Sequence, residues 1–243
     1  MKTNILFYGY FSDIMKGKKQ IHANNFYLIL SGIFIASLVT SNLIFQKFFH
    51  WDAFGIYTFE ISVGIIPYPV TFLVTDIISE LYGRKKANRV VLVGLFASIF
   101  TLLIVMVSDF VPATSWSSVT GDEFHHVFGV TFIGVGASMA AYLTAQFIDV
   151  QLFHFWKRLT NGKHLWLRNN ASTFTSQFID TFTVLLLLCV FRVIPWEYFW
   201  GLLWNGFLFK VMVALFDTPI IYIVVWQFRK YFGLKGPGAE LPE

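Results

Sequence analysis

Long apolar stretches most constrain what this chain can fold into. A helix needs about 20 predominantly apolar residues to cross the hydrocarbon core of a bilayer. Five stretches meet this requirement, and a sixth at 56–81 is long enough but carries Pro67 and Pro69 at its centre. The sequence predicts an all-α integral membrane protein with six transmembrane helices, the second broken at the two prolines. The five uninterrupted stretches are 26–45, 90–108, 127–153, 174–191 and 198–228.

The composition agrees with this class. Hydrophobic residues make up 56% of the 243 residues and charged residues only 13%, against about 25% charged in a soluble domain. A disordered chain and a nucleic-acid-binding protein are therefore excluded, and lipid is the expected surrounding. The single cysteine, Cys189, provides neither a disulfide framework nor a metal site.

The basic residues predict the orientation, because Lys and Arg accumulate in cytoplasmic loops. Fifteen of the 18 fall in the segment before span one, the loops after spans two and four, and the tail. Both termini are therefore expected in the cytoplasm. The expected organisation is a cytoplasmic arm at 1–25, a six-helix transmembrane domain at 26–228 and a cytoplasmic tail at 229–243.

Seven ionisable residues lie inside the predicted spans, where charge is costly and usually marks a pathway or site. Six acids cannot all be neutralised as pairs by one lysine. Span six alone could hold an internal pair between its lysine and acid, but the lysine could equally pair with an acid of span two or five. The seven are Glu60, Asp76, Glu80, Asp149, Asp180, Lys210 and Asp217.

Two spans carry the most specific polar signals. Broken helices line binding sites in many transporters, and Asp76 and Glu80 follow the two prolines, one turn apart on one face. A proline kink without a ligand is the alternative. Asn169 and Asn170 precede span five, and Thr173, Gln177 and Asp180 follow at helical spacing. This polar face either forms a site or hydrogen-bonds neighbouring helices.

No motif of an intramembrane protease or of a phosphate-binding loop occurs, so the sequence predicts no enzyme, no metal and no cofactor. The buried carboxylates accept hydrogen bonds, the amides both donate and accept them, and Lys210 only donates. Together with the abundant Phe, this set favours a planar heterocycle with several N–H groups. Small residues between Gly129 and Ala141 predict close helix packing, within the bundle or in a homodimer.

Four ordered segments carry a resemblance to a known family. They resemble the queuosine precursor transporters, a bacterial six-span group also called vitamin-uptake-like transporters. The resemblance implies import of 7-deazaguanines, the 7-cyano and 7-aminomethyl precursors of queuosine, by a secondary carrier across the cytoplasmic (inner) membrane. The segments are YPVTFLVTDIISELYGRKKANRV (68–90), AQFIDVQLFHFWKR (145–158), LRNNASTFTSQFIDTF (167–182) and KVMVALFDTPIIY (210–222).

Given this resemblance, the polar residues are expected to converge around the base, with one of two phenylalanines stacking on it. Two other functions stay open. A substrate-binding subunit of an energy-coupling-factor importer would need partner ATPases, and a structural membrane protein would gain no stability from a ligand. The expected substrate-binding residues are Asp76, Glu80, Asn169, Asn170, Gln177, Asp180, Lys210, Asp217 and either Phe72 or Phe178.

Overall fold

The structure is a computed structural model, and it describes residues 2–53, 55–129, 132–234, 236 and 239–241. Short 3₁₀ turns at Val63–Ile65 and Trp196–Tyr198 and a π-turn at His125–Gly129 connect the longer elements. The helices are α1 Lys2–Ile44, α2 Tyr68–Leu81, α3 Arg84–Phe110, α4 Gly121–Phe124, α5 Phe132–Leu159, α6 Leu165–Val190 and α7 Phe199–Phe232, and the strands are β1 Phe48–Ala53 and β2 Tyr57–Ser62.

Five helical segments of the described chain are long and apolar enough to cross a membrane. Exposed apolar side chains cover their outer faces; Phe96, Phe100 and Ile104 on α3, for example, are half-exposed or more. Such faces suit lipid rather than water. The fold is therefore that of a mainly helical, multi-pass membrane protein. The five segments are Gly17–Ile44, Val63–Leu81, Arg84–Phe110, Leu165–Val190 and Trp196–Phe232.

The expectation of a helix over all of 56–81 is wrong for its first part. Residues 57–62 form β2, which pairs antiparallel with β1 from Phe48↔Ser62 to Ala53↔Tyr57. The segment YTFEIS favours a strand because it is rich in aromatic and β-branched residues and alternates, burying Phe59 and Ile61. Helix α2 therefore begins only at Tyr68, with Pro69 in its first turn, where a missing N–H costs little.

The first helix is longer than a membrane span. Helix α1 runs without interruption for 43 residues, about 65 Å, so the predicted arm at 1–25 continues directly into the first span. At the other end of the chain, α7 continues to Phe232, beyond the predicted tail boundary at 229. The side chains at 134, 138 and 140, part of the small-residue face expected in span four, lie outside the described residues.

Helix α2 occupies the centre of the bundle. Every residue from Val74 to Leu81 is buried, and α1, α3, α5 and α7 all contact the helix. Its apolar side chains form one core with Phe34, Phe153 and Ile221. Consequently the two acids of α2 are enclosed by protein. We call the end of the bundle with β1 and β2 the hairpin end, and the opposite end, where α2 ends and α3 begins, the basic end.

Candidate functional site

A column of polar side chains on α6 organises the interior. The residues Arg168, Thr173, Ser176 and Asp180 recur at three- to five-residue spacing and are all buried. From the basic end towards the hairpin end they contact, in order, Glu80, Asp76, Asp149 and Lys210. Because α6 rises about 1.5 Å per residue, the column extends over about 18 Å. Three charged centres lie along it.

The first centre is an ion pair between α6 and α7. Lys210 Nζ lies 2.8 Å from Asp180 Oδ2 and donates to Thr181 Oγ1 at 3.0 Å. The same ammonium lies 4.4 Å from the centroid of the Tyr68 ring, at cation–π distance. Both members of the pair are at least nine-tenths buried. Of the partners expected for Lys210, the structure selects the aspartate of span five; we call this centre the lysine site.

The lysine site lines a cavity between the described helices. The cavity volume is about 150 Å³, below the usual 300–1,000 Å³ of ligand pockets. It extends to Phe48 and Glu60 at the hairpin end. Among the described residues, the buried atoms Asp180 Oδ1 and Asn42 Nδ2 have no hydrogen-bond partner. Both residues line the cavity, so they can offer a ligand one acceptor and one donor.

The second centre contains two acids. The carboxyl groups of Asp76 on α2 and Asp149 on α5 lie side by side, because Thr173 and Ser176, one turn apart on α6, each bind one of them. Thr173 donates to Asp76 Oδ2 at 3.4 Å, and Ser176 donates to Asp149 Oδ1 at 2.8 Å. In the described part of the chain no lysine or arginine pairs with either carboxyl group. We call this centre the acid pair.

The third centre surrounds a single glutamate at the basic end. Arg168 and Arg229 each place a guanidinium nitrogen 2.5 Å from Glu80 Oε1, and Lys157 Nζ lies 3.6 Å from Oε2. The Glu80 side chain is fully buried. Lys157 also binds Glu240 of the tail at 2.8 Å. We call this centre the Glu80 cluster.

The remaining predicted site residues follow the same column. Asn170 Nδ2 donates to Thr218 Oγ1 of α7 at 2.9 Å, beside the half-buried Asp217. Asn169 and Gln177 are buried, and their side-chain oxygens have no protein partner within the described residues. The structure therefore brings these residues to one interior face of α6 without placing them in the cavity.

The two candidate stacking residues lie elsewhere. Phe72 is 2% exposed in the core around α2. Phe178 is 37% exposed and contacts the rings of Phe182 and Phe207. Neither lines the cavity, whose aromatic side chains are Phe45, Phe48 and Tyr68.

Some site residues were missed from the sequence although a signal was present. Tyr68 stands between the two prolines that marked the second span. Asp149 belongs to the short sequence Gln-Phe-Ile-Asp, which recurs at 177–180, and the structure turns both copies to interior polar centres. Asn42 on α1 had no such signal, because one asparagine in an apolar helix gives no periodic pattern.

Within the described residues, no group of three His, Cys, Asp or Glu side chains could hold a metal ion. The centres are instead ion pairs and hydrogen-bonded acids inside a membrane-spanning bundle, and one of them lines a cavity. This combination is typical of membrane transport proteins rather than of structural ones. Fold and site thus define a polytopic membrane protein with a buried polar site.

Comparison with known proteins identifies the family. Residues 62–224 match the family described as "Putative vitamin uptake transporter", and the chain belongs to it. The chain is 31% identical to a Bacillus subtilis protein named "Probable queuosine precursor transporter", over 66% of this chain and 70% of that one. It is 26% identical to the "Queuosine precursor transporter" of Escherichia coli, over 69% and 74% of the two chains. No solved structure matches the chain.

Proposed function

We propose that this protein imports queuosine precursors as free 7-deazaguanine bases, acting as a secondary carrier in the cytoplasmic membrane of a bacterium. The observation that carries the proposal is the buried Asp180–Lys210 pair, which lines a cavity and leaves the second carboxylate oxygen of Asp180 without a hydrogen-bond partner among the described residues. The names of the relatives indicate queuosine precursors as the class of substrate.

The chemistry of the cavity complements the edge of a guanine-like base. Such an edge donates from N1–H and N2–H₂, which the free oxygen of Asp180 can accept. Its O6 accepts, and Lys210 and Asn42 are the donors that line the cavity. The Tyr68 ring supplies a flat surface for the bicyclic ring. An adenine-like edge, with an acceptor at N1, would meet the carboxylate with the wrong polarity.

We further propose six membrane spans, α5 with its 28 residues being the sixth, with both termini in the cytoplasm. In this orientation the cavity faces outward and the Glu80 cluster closes the cytoplasmic end. Release of the base then requires the cluster to open, as alternating access demands. Asp76, Asn169, Asn170, Gln177 and Asp217 would lie along the exit route, with Glu80 at its end.

Uptake into liposomes tests the proposal. The purified protein is reconstituted alone, and uptake of labelled 7-cyano-7-deazaguanine is measured against liposomes without protein. We expect saturable uptake that guanine-like bases inhibit and adenine does not. Transport without partner ATPases would also exclude the role of an energy-coupling-factor subunit, whereas absence of uptake would contradict the carrier proposal.

Variants locate the substrate site. Asp180→Asn and Lys210→Met each remove one charge from the lysine site, so we expect each to reduce uptake at least tenfold. Asp122→Asn, in the exposed segment before α5, is the matched control and should transport normally. Uptake unchanged in both lysine-site variants, at equal amounts of reconstituted protein, would show that the base binds elsewhere.

A further inference from the structure

We propose that Asp76 and Asp149 share one proton and form the site through which a proton gradient drives transport. The proposal rests on the proposed function for its role in import, but the proton site can be tested on the protein alone. Neither residue lines the cavity of the lysine site, so the two functions use different side chains of the same interior.

The geometry requires a positive charge between the two carboxyl groups. Asp76 is 2% exposed and Asp149 is fully buried, and two ionised carboxylates in contact repel each other strongly away from water. One proton held between them removes the repulsion and forms a hydrogen bond, as in other paired-carboxylate sites. The unpartnered oxygens, Asp76 Oδ1 and Asp149 Oδ2, are the atoms available to hold it.

The surrounding side chains provide no other neutralisation. From α6, Thr173 and Ser176 each donate one hydrogen bond, and from α7, Asp217 adds a further negative charge near Asp76. Lys210 and Arg168 are bound to other carboxylates, Asp180 and Glu80. Helices α1 and α3 also contact α2, but among the described residues no charged side chain of either helix forms an ion pair with Asp76 or Asp149.

A third buried polar group supports a ligand at this point. Gln146 lies one turn before Asp149 on the same face of α5, and it is fully buried. Its Nε2 donates at 2.5 Å to the hydroxyl of Thr75, the neighbour of Asp76, while its Oε1 has no protein partner. The Gln146 side chain thus connects α5 to α2 beside the acid pair. Its free oxygen is a further buried acceptor next to the proposed proton.

The position of the acid pair suits coupling. It lies on the α6 column between the lysine site and the Glu80 cluster, and its two acids belong to different helices. A relative movement of α2 and α5 that opens the basic end would separate the carboxyl groups. Once separated, the two acids no longer share the proton, and one of them can release it. Proton binding from outside and release inside would thus accompany movement of the base.

The decisive measurement is the ratio of gradient-driven to gradient-free uptake in the same liposomes. One proton per base sustains about tenfold accumulation for each pH unit, acid outside. We expect this stimulation in the unmodified protein and its loss, with a ratio near one, in Asp149→Asn. Asp122→Asn should keep the stimulation. Persistence of the full ratio in Asp149→Asn would overturn the proposal, as would stimulation by a sodium gradient in place of the pH gradient.

A second measurement does not depend on substrate. A shared proton gives a protonated-carboxyl band in the infrared spectrum of the purified protein at neutral pH. We expect the band to disappear in Asp149→Asn and to remain in Asp122→Asn. If the band is present but no base is transported, the function proposal fails while the proton site stands. If the base is transported and the band is absent from the unmodified protein, the proton site fails alone.

Discussion

Asp76 and Glu80 lie one turn apart on the same face of α2, yet their surroundings are opposite. Among the described residues, Asp76 lies beside another acid and no cation, whereas Glu80 contacts two arginines and a lysine. One position carries excess negative charge and the next excess positive charge. Two buried acids on the same face of one helix can therefore have different roles. Neighbouring helices decide whether a buried acid is a fixed anchor or a titrating group.

Removing the charge of Glu80 should have the largest effect on stability. Glu80→Gln leaves Arg168, which is 1% exposed, without its carboxylate, and an uncompensated buried charge costs about 3–5 kcal/mol. Thermal unfolding in detergent, followed by tryptophan fluorescence, measures the loss. The exposed Glu197 provides a control, since Glu197→Gln should change little. An unfolding temperature unchanged by Glu80→Gln would remove the distinction between the two acids of α2.

Replacing an acid of the acid pair by its amide should raise stability, whereas Glu80→Gln should lower it. Asp149→Asn keeps a hydrogen-bonding group and removes the need to bind a proton when the chain folds at neutral pH, so we expect stability to increase. The native pair holds one proton that the unfolded chain releases at neutral pH, so the unmodified protein loses stability as the pH rises. The advantage of the variant should therefore grow by up to about 1.4 kcal/mol per pH unit.

Unfolding temperatures of both proteins, measured from mildly acidic to mildly alkaline pH, test whether the stability difference grows as the pH rises. Ser176→Ala is a useful companion, because it removes the hydroxyl bound to Asp149 and leaves both acids in place. That variant should lose stability and keep a pH dependence. A destabilised Asp149→Asn protein with no pH-dependent difference would indicate an ordinary structural acid.

Loosening the tail contact should have the smallest effect. Glu240 is 40% exposed where it meets Lys157, and exposed ion pairs contribute about 0.2–1 kcal/mol. We expect Glu240→Gln to lower the unfolding temperature slightly, with the shift disappearing at high salt. The backbone bond from Leu241 N to Leu81 O remains in the variant. A loss as large as that of Glu80→Gln would mean that the tail, rather than the arginines, holds the cluster together.

The local sequence was sufficient for some parts of the fold and not for others. The apolar stretches and the polar face of α6 could be predicted because helix periodicity is a property of neighbouring residues. The β-hairpin was not predicted, because 56–62 is apolar enough to extend a span and its strand pattern is only six residues long. Its pairing with residues 48–53 depends on a segment that follows α1.

The sequence indicates the buried polar residues but not how they are grouped. It predicts a single site around the base, formed by the buried acids, the amides and Lys210. The structure divides most of the charged residues among the lysine site, the acid pair and the Glu80 cluster, and Phe45, Phe48 and Tyr68 line the cavity in place of the expected phenylalanines. The sequence assigns Arg168, Lys157 and Arg229 only to topology, because a basic residue at the end of a span gives the same pattern whether it faces lipid headgroups or a buried acid.

The sequence by itself determined the class of the protein, most of its apolar helices and most of the charged residues inside them, although Glu60, expected in the second span, lies exposed on β2. These follow from hydropathy and helical spacing, which are local. Only the tertiary structure decided that Lys210 binds Asp180, that Glu80 holds three cations and that Asp76 meets Asp149. The physical reason is that a buried charge is defined by its nearest partners, and here those partners come from other helices up to 149 residues away along the chain.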